Sequence, residues 1–115
     1  KEFVNEKPVP NYDVDVYLIH TTWCPHCKGL LKDGGEWKKI ENQWNGKNIK
    51  GNYKINFYQI DGDNSKEVRD FEEKYLKEDK IDSYPTIYLI KDNQVIEFDA
   101  NPTVDKFTNF LNSVI

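Results

Sequence analysis

The chain has 115 residues, of which 37% are hydrophobic, 14% aromatic and 31% charged, and it carries a formal net charge of -4. That length suits a single domain with a sizeable core of its own. Lysines are interspersed with acids rather than gathered into a basic stripe, which argues against nucleic acid as a partner, and no apolar run approaches the ~20 residues needed to span a bilayer.

We read residues 1–115 as one domain, with residues 1–12 as an extended N-terminal arm in which Pro8 and Pro10 leave little periodicity beyond a short strand at Phe3-Val4. Asp13 to His20 is β-branched and aromatic. Val14, Val16, Leu18 and His20 fall on one side and Tyr17 and Ile19 on the other, so the segment predicts a central strand buried on both faces. From Cys24 a helix is expected through Leu30 and Leu31, broken at Asp33-Gly34-Gly35 and resuming with Trp37, Ile40 and Trp44 as a packing stripe. Asn45-Gly46-Lys47-Asn48 then reads as a loop.

Ile55 to Ile60 is the second strand candidate. After the turn cluster Asp61-Gly62-Asp63-Asn64, Asn64 caps a helix whose apolar face is Val68, Phe71 and Tyr75, with Glu67 three residues beyond the cap. The charged run Glu72-Glu73-Lys74 and Lys77-Glu78-Asp79-Lys80 reads as a solvated helix face. Thr86 to Ile90 and Gln94 to Phe98 are spaced for a tight antiparallel hairpin at Lys91-Asp92-Asn93. The last helix is expected to start at Asn101-Pro102 and to bury Val104, Phe107, Leu111 and Val114. The order is β-α-β-α-β-β-α, with a right-handed crossover between the first two strands.

The chemistry-bearing stretch is Trp23-Cys24-Pro25-His26-Cys27, which holds the only two cysteines at a strand-to-helix junction. Two intervening residues let the sulfurs meet across the first helical turn, and the N–H groups and partial positive charge there favour a thiolate over a thiol at Cys24. A bare Cys-x-x-Cys also reads as half a zinc site or as two core cysteines. A zinc site made of His20, Cys24, His26 and Cys27 would need four ligands within eight consecutive residues around Pro25, a backbone unlike such a junction, so no metal is expected. His20 reads as a satisfied residue at the strand end, whereas His26, between the sulfurs, acts on them electrostatically.

With Trp-Cys-x-x-Cys followed by Ser83-Tyr84-Pro85-Thr86 just before the hairpin, the chain resembles the thioredoxin-like superfamily from Asp13 to Ile115. The resemblance implies an α/β thioredoxin fold, a central mixed sheet of four to five strands flanked by helices. It implies a thiol-disulfide oxidoreductase acting on protein disulfides and dithiols, with Cys24 as nucleophile and Cys27 as resolver. No cofactor is then needed beyond the redox-active Cys24–Cys27 disulfide. By the same resemblance Pro85 is cis, at a cost of only ~0.5–1 kcal/mol over trans. The backbone of Tyr84 is then free to pair with an extended substrate segment, and Trp23, Pro25, Tyr84, Pro85 and Thr86 form the substrate-binding surface. The implied partners are protein substrates and a recycling reductase or oxidase, and the implied state is a monomer.

The Pro25-His26 pair resembles periplasmic thiol oxidases more than thioredoxins, and predicts a potential above the ~-270 mV of thioredoxin. Two positions depart from the pattern. Leu18 stands where these proteins carry a buried carboxylate, and Phe57 where its lysine partner is found, so release of mixed disulfides is expected to be slow. Two other readings compete: a glutathione-dependent, glutaredoxin-like reductase, and a peptide-binding module whose dithiol does not turn over. The chain starts at Lys1 and contains no methionine, so a processed or trimmed start is expected. Its compartment stays open between the cytoplasm and an oxidising secretory or periplasmic space.

Overall fold

Apolar residues on both sides of strand β1 (Tyr12–His20) place it at the centre of a five-stranded sheet in the computed structural model, which describes residues 12–77 and 79–115. The sheet order is β2-β3-β1-β4-β5. β1 runs parallel to β3 (Tyr53–Asp61), with Leu18 opposite Gln59, and antiparallel to β4 (Thr86–Lys91), with Leu18 opposite Ile87. The edges are β2 (Asn48–Ile49) and β5 (Gln94–Glu97). Among the described residues four α-helices flank this mixed sheet, which matches the expected thioredoxin fold: α1 (Pro25–Leu31), α2 (Glu36–Trp44), α3 (Ser65–Phe71) and α4 (Val104–Val114).

The two faces of β1 organise two cores. Val14, Val16 and Leu18 pack with Leu30 of α1, Trp37 and Ile40 of α2, and Phe107 and Leu111 of α4, while Ile19 packs with Ile60 and Phe71 of α3 on the other side. Burying Phe107 or Leu111 contributes roughly 1.5–3 kcal/mol each, and Phe107 adds ring contacts to Trp37, Phe57, Phe98 and Phe110 at 5.4–6.0 Å. Leu18 is buried in this first core and Phe57 packs against it, so both positions are held by apolar contacts.

The predicted helix break has a steric cause. A Cβ at Gly35 would meet the carbonyl oxygens of Leu30 and Gly29 at 2.5 and 2.6 Å, so α2 can turn back this tightly against α1 only with glycine there. Asn64 caps α3 as expected, accepting from the N–H groups of Lys66 and Glu67. The β4–β5 hairpin turns at Asp92 and Asn93, which take φ of 51° and 64°, a pair of left-handed residues that matches the twist of the strands.

Several expectations need correction. Tyr12 is the first residue of β1 rather than part of an arm, and the Phe3-Val4 strand lies outside the described residues. The loop expected at residues 45–48 ends in strand β2, which is too short to show periodicity and forms because Lys50 and Gly51 turn the chain back on β3 with φ of 52° and 95°. α4 begins two residues later than expected. Pro102 is buried, and the hydroxyl of Thr103, not Asn101, accepts the N–H of Lys106 as cap. Finally, the 72–80 run is not uniformly solvated. Residues Glu72–Leu76 form a single π turn, closed by Lys77 N–H on the Glu72 carbonyl at 2.8 Å, and Glu72 is buried.

Candidate active site

Three segments converge where β1 ends: the β1–α1 junction, the loop after β3, and the loop before β4. Pro25 at the first position of α1 has no N–H to lose there, and Cys24 is the residue that caps the helix, with φ -86° and ψ 113°. The Cys27 N–H donates to Cys24 Sγ at 3.2 Å, and the Cys24 thiol faces the carbonyl oxygen of Tyr84 at 3.7 Å. Both cysteines are free thiols. Cys24 retains 5% exposure and Cys27 none, so of the two cysteines only Cys24 reaches the surface.

Burial pushes the Cys27 thiol up to about 11, and its hydrogen bond with Cys24 works in the same direction; a backbone hydrogen bond at Thr21 opposes them. Cys27 therefore stays protonated in the folded dithiol at neutral pH.

The Tyr84–Pro85 peptide bond is cis. Tyr84 and Pro85 are half-buried and, with the exposed His26, line a cavity of about 470 Å³ that Glu97, Asp99 and Pro102 close from the far side. Thr86 is 7% exposed and its hydroxyl donates to the Ser83 carbonyl at 2.6 Å, so its side chain holds the loop together rather than standing open. Pro25 is exposed beside His26, and Trp23 is 62% exposed. The Trp23 ring meets Tyr84 edge-on with centroids 5.8 Å apart. The structure thus brings Trp23, Cys24, Tyr84 and Cys27 together, and places His26, Pro25 and Pro85 on the same rim. His20 ends β1, where its carbonyl accepts the Gly62 N–H at 2.6 Å.

Sequence reasoning overlooked Asp63 and Gly62, read only as turn residues. Asp63 accepts the Trp23 indole N–H at 3.0 Å and the Thr22 hydroxyl at 3.5 Å, which fixes the exposed tryptophan. A Cβ at Gly62 would lie 2.5 Å from Tyr84 Cε1 and 2.9 Å from Thr21 Cγ2, so glycine lets the Tyr84 ring lie flat on this loop. The turn signal was visible in sequence, but the approach of Tyr84 from twenty-two residues away was not. Among the described residues no cluster of three or more His, Cys, Asp or Glu side chains is placed to hold a metal ion, and no helix is long and apolar enough to cross a membrane.

The family model named thioredoxin matches residues 6–113. No curated protein matches the chain in sequence. Among solved structures, malaria parasite thioredoxin-2, described as a component of protein secretion machinery, is similar at 21% identity with a TM-score of 0.61, covering 96% of this chain and 88% of that one. The first thioredoxin domain of mouse protein disulfide-isomerase A4 is similar at 22% identity and TM-score 0.60, covering 88% of this chain and 62% of that one. The germline-specific thioredoxin Deadhead of Drosophila melanogaster has 22% identity and TM-score 0.59, with coverages of 90% and 82%. At these identities the structural likeness establishes the shared fold.

Proposed function

The chain belongs to the thioredoxin family, and from that premise we propose that it is a thiol-disulfide oxidoreductase acting on protein disulfides and dithiols, more oxidising than thioredoxin itself. The observation that carries this reading is Cys24 Sγ, slightly exposed at the start of α1, held by the Cys27 N–H at 3.2 Å and set beside the Tyr84 carbonyl. In the reducing direction the Cys24 thiolate attacks one sulfur of a substrate disulfide. The substrate S–S bond breaks, a mixed disulfide forms, and the first substrate thiolate leaves. Cys27, losing its proton to solvent, then attacks Cys24 Sγ; the mixed disulfide breaks, the Cys24–Cys27 bond forms, and two electrons have passed to the substrate. Oxidation of a substrate dithiol is the reverse path. Trp23, Pro25, Tyr84 and Pro85 supply the surface for the substrate segment, and Thr86 secures the loop that carries it.

The oxidising tilt rests on Pro25-His26. The support is the resemblance of that pair to periplasmic thiol oxidases, and each ~1.4 kcal/mol by which a protein favours its reduced form raises the two-electron potential by about 30 mV. Equilibration in graded glutathione buffers tests it. A potential above about -180 mV supports an oxidase or isomerase, whereas one near or below about -250 mV leaves a reductase.

A second reading, peptide capture without turnover, is favoured by one observation: Cys27 is fully buried next to an apolar β1, with Leu18 in the core and the thiol pushed up. Cys27→Ser separates the two. An oxidoreductase accumulates a mixed disulfide through Cys24, while a capture module keeps its peptides after both cysteines are replaced.

A further inference from the structure

Glu72 has the properties of a side chain placed for a purpose. Acidic side chains are rarely buried without partners, yet Glu72 is 7% exposed while Glu73 and Lys74 beside it are open to solvent. The π turn over Glu72–Leu76 follows directly on α3, and Glu72 Oε2 accepts the backbone N–H of Ile81 at 2.8 Å. Lys80 Nζ stands 3.9 Å from Oε1 of the same carboxylate. The charge-assisted bond to Ile81 crosses nine residues and fastens the start of the segment that leads, three residues on, to Tyr84-Pro85. At the far end the Ser83 carbonyl takes the Thr86 hydroxyl, so the segment is tied at both ends with the Tyr84 carbonyl between them at Cys24. After burial and Asp63, Glu72 also contributes to raising the Tyr84 phenol, which places its charge within reach of that residue.

We propose that Glu72 is a positioning residue for substrate binding: its buried carboxylate, through the Ile81 N–H, holds the 81–85 segment so that the Tyr84 backbone lies in register beside Cys24. This rests on the oxidoreductase reading, in which an extended substrate pairs with that backbone. A protein or peptide disulfide needs the segment in place, whereas a small aromatic disulfide reacting with Cys24 needs the sulfur alone. Glu72 touches neither substrate nor sulfur and acts only through the loop.

The test compares wild type with Glu72→Ala, Glu72→Gln and Glu72→Met, measuring Michaelis parameters with a peptide disulfide and the second-order rate with a small aromatic disulfide. Loss of a hydrogen bond to a charged acceptor should raise KM for the peptide roughly five- to tenfold in Glu72→Ala. Its kcat and its small-disulfide rate should stay within about twofold. Glu72→Gln keeps an acceptor oxygen for Ile81 and should restore KM to within about twofold of wild type. Should Glu72→Ala not fold, Glu72→Met fills the same space without an acceptor and must show the same KM rise. The proposal is overturned if folded Ala and Met variants keep the wild-type KM, if the small-disulfide rate falls in parallel with the peptide reaction, or if Gln is as impaired as Ala. A wild-type protein that reacts with the small disulfide but turns over no peptide disulfide refutes the oxidoreductase reading instead.

Discussion

The slow step of the proposed cycle follows from the burial of Cys27. With its thiol moved from an ordinary value of 9.0 to about 11, roughly one molecule in ten thousand carries the Cys27 thiolate at pH 7, about 100-fold fewer than for an unshifted cysteine. A more basic thiolate is also more nucleophilic, by roughly six- to tenfold over two units at a Brønsted slope of about 0.4–0.5, so the net deficit in resolution is roughly tenfold. In the mixed disulfide the contributions of Cys24 to this shift vanish, but burial is the largest cause and persists. Stopped-flow reaction of the reduced protein with a coloured aromatic disulfide resolves the two events. One thiolate is released as Cys24 is captured, and a second as Cys27 closes the ring. The second phase should rise about tenfold per pH unit from pH 7 to at least pH 9 and be absent in Cys27→Ser. A second phase that levels off by about pH 10 would falsify the argument, because it would mean that the buried thiol ionises as easily as an exposed one.

The same group links pH to stability: its folded value is raised, so both states are protonated below pH 9, and between pH 9 and about 11 the unfolded chain gives up its proton first. Urea unfolding of the reduced protein should therefore lose about 2–3 kcal/mol over that window relative to Cys27→Ser, and a flat difference would remove the effect. Phe107→Ala deletes a fully buried ring with four aromatic partners and should cost roughly 3–5 kcal/mol in denaturant unfolding, with a loss under about 1 kcal/mol contradicting the packing described. Gly62→Ala places a methyl against Tyr84 and Thr21 and should cost about 1–3 kcal/mol. That cost should shrink in a Tyr84→Ala background, and a double-mutant cycle showing simple additivity would rule out the contact.

The Cys-x-x-Cys motif and its neighbours were legible in sequence because their signals are local. Cys24 and Pro25 are adjacent to the helix they start, Asn64 caps from its own turn, and Asp92-Asn93 sit between two short strand-like runs at hairpin spacing. Leu18 was legible as a core residue for the same reason, since it alternates with Tyr17 and Ile19 on one strand. The start of α4 was misplaced because Asn101, Pro102 and Thr103 all suit a helix start, and burial of Pro102 selected Thr103.

The sequence by itself determined the order of elements, the central strand and the dithiol, for the physical reason that hydrophobic period, capping chemistry and short spacings act over a few residues, while the proline loop was readable only through the resemblance that its motif carries. Only the tertiary structure decided which polar groups serve the site. Asp63 is a turn residue until Trp23 arrives from forty residues away to donate its indole N–H, and Gly62 is ordinary until the Tyr84 ring covers it. Glu72 looks like any surface acid in a charged run. It becomes a buried acceptor because a single π turn carries it inward to meet the Ile81 N–H, and nothing in the composition of residues 72–80 forecasts that turn.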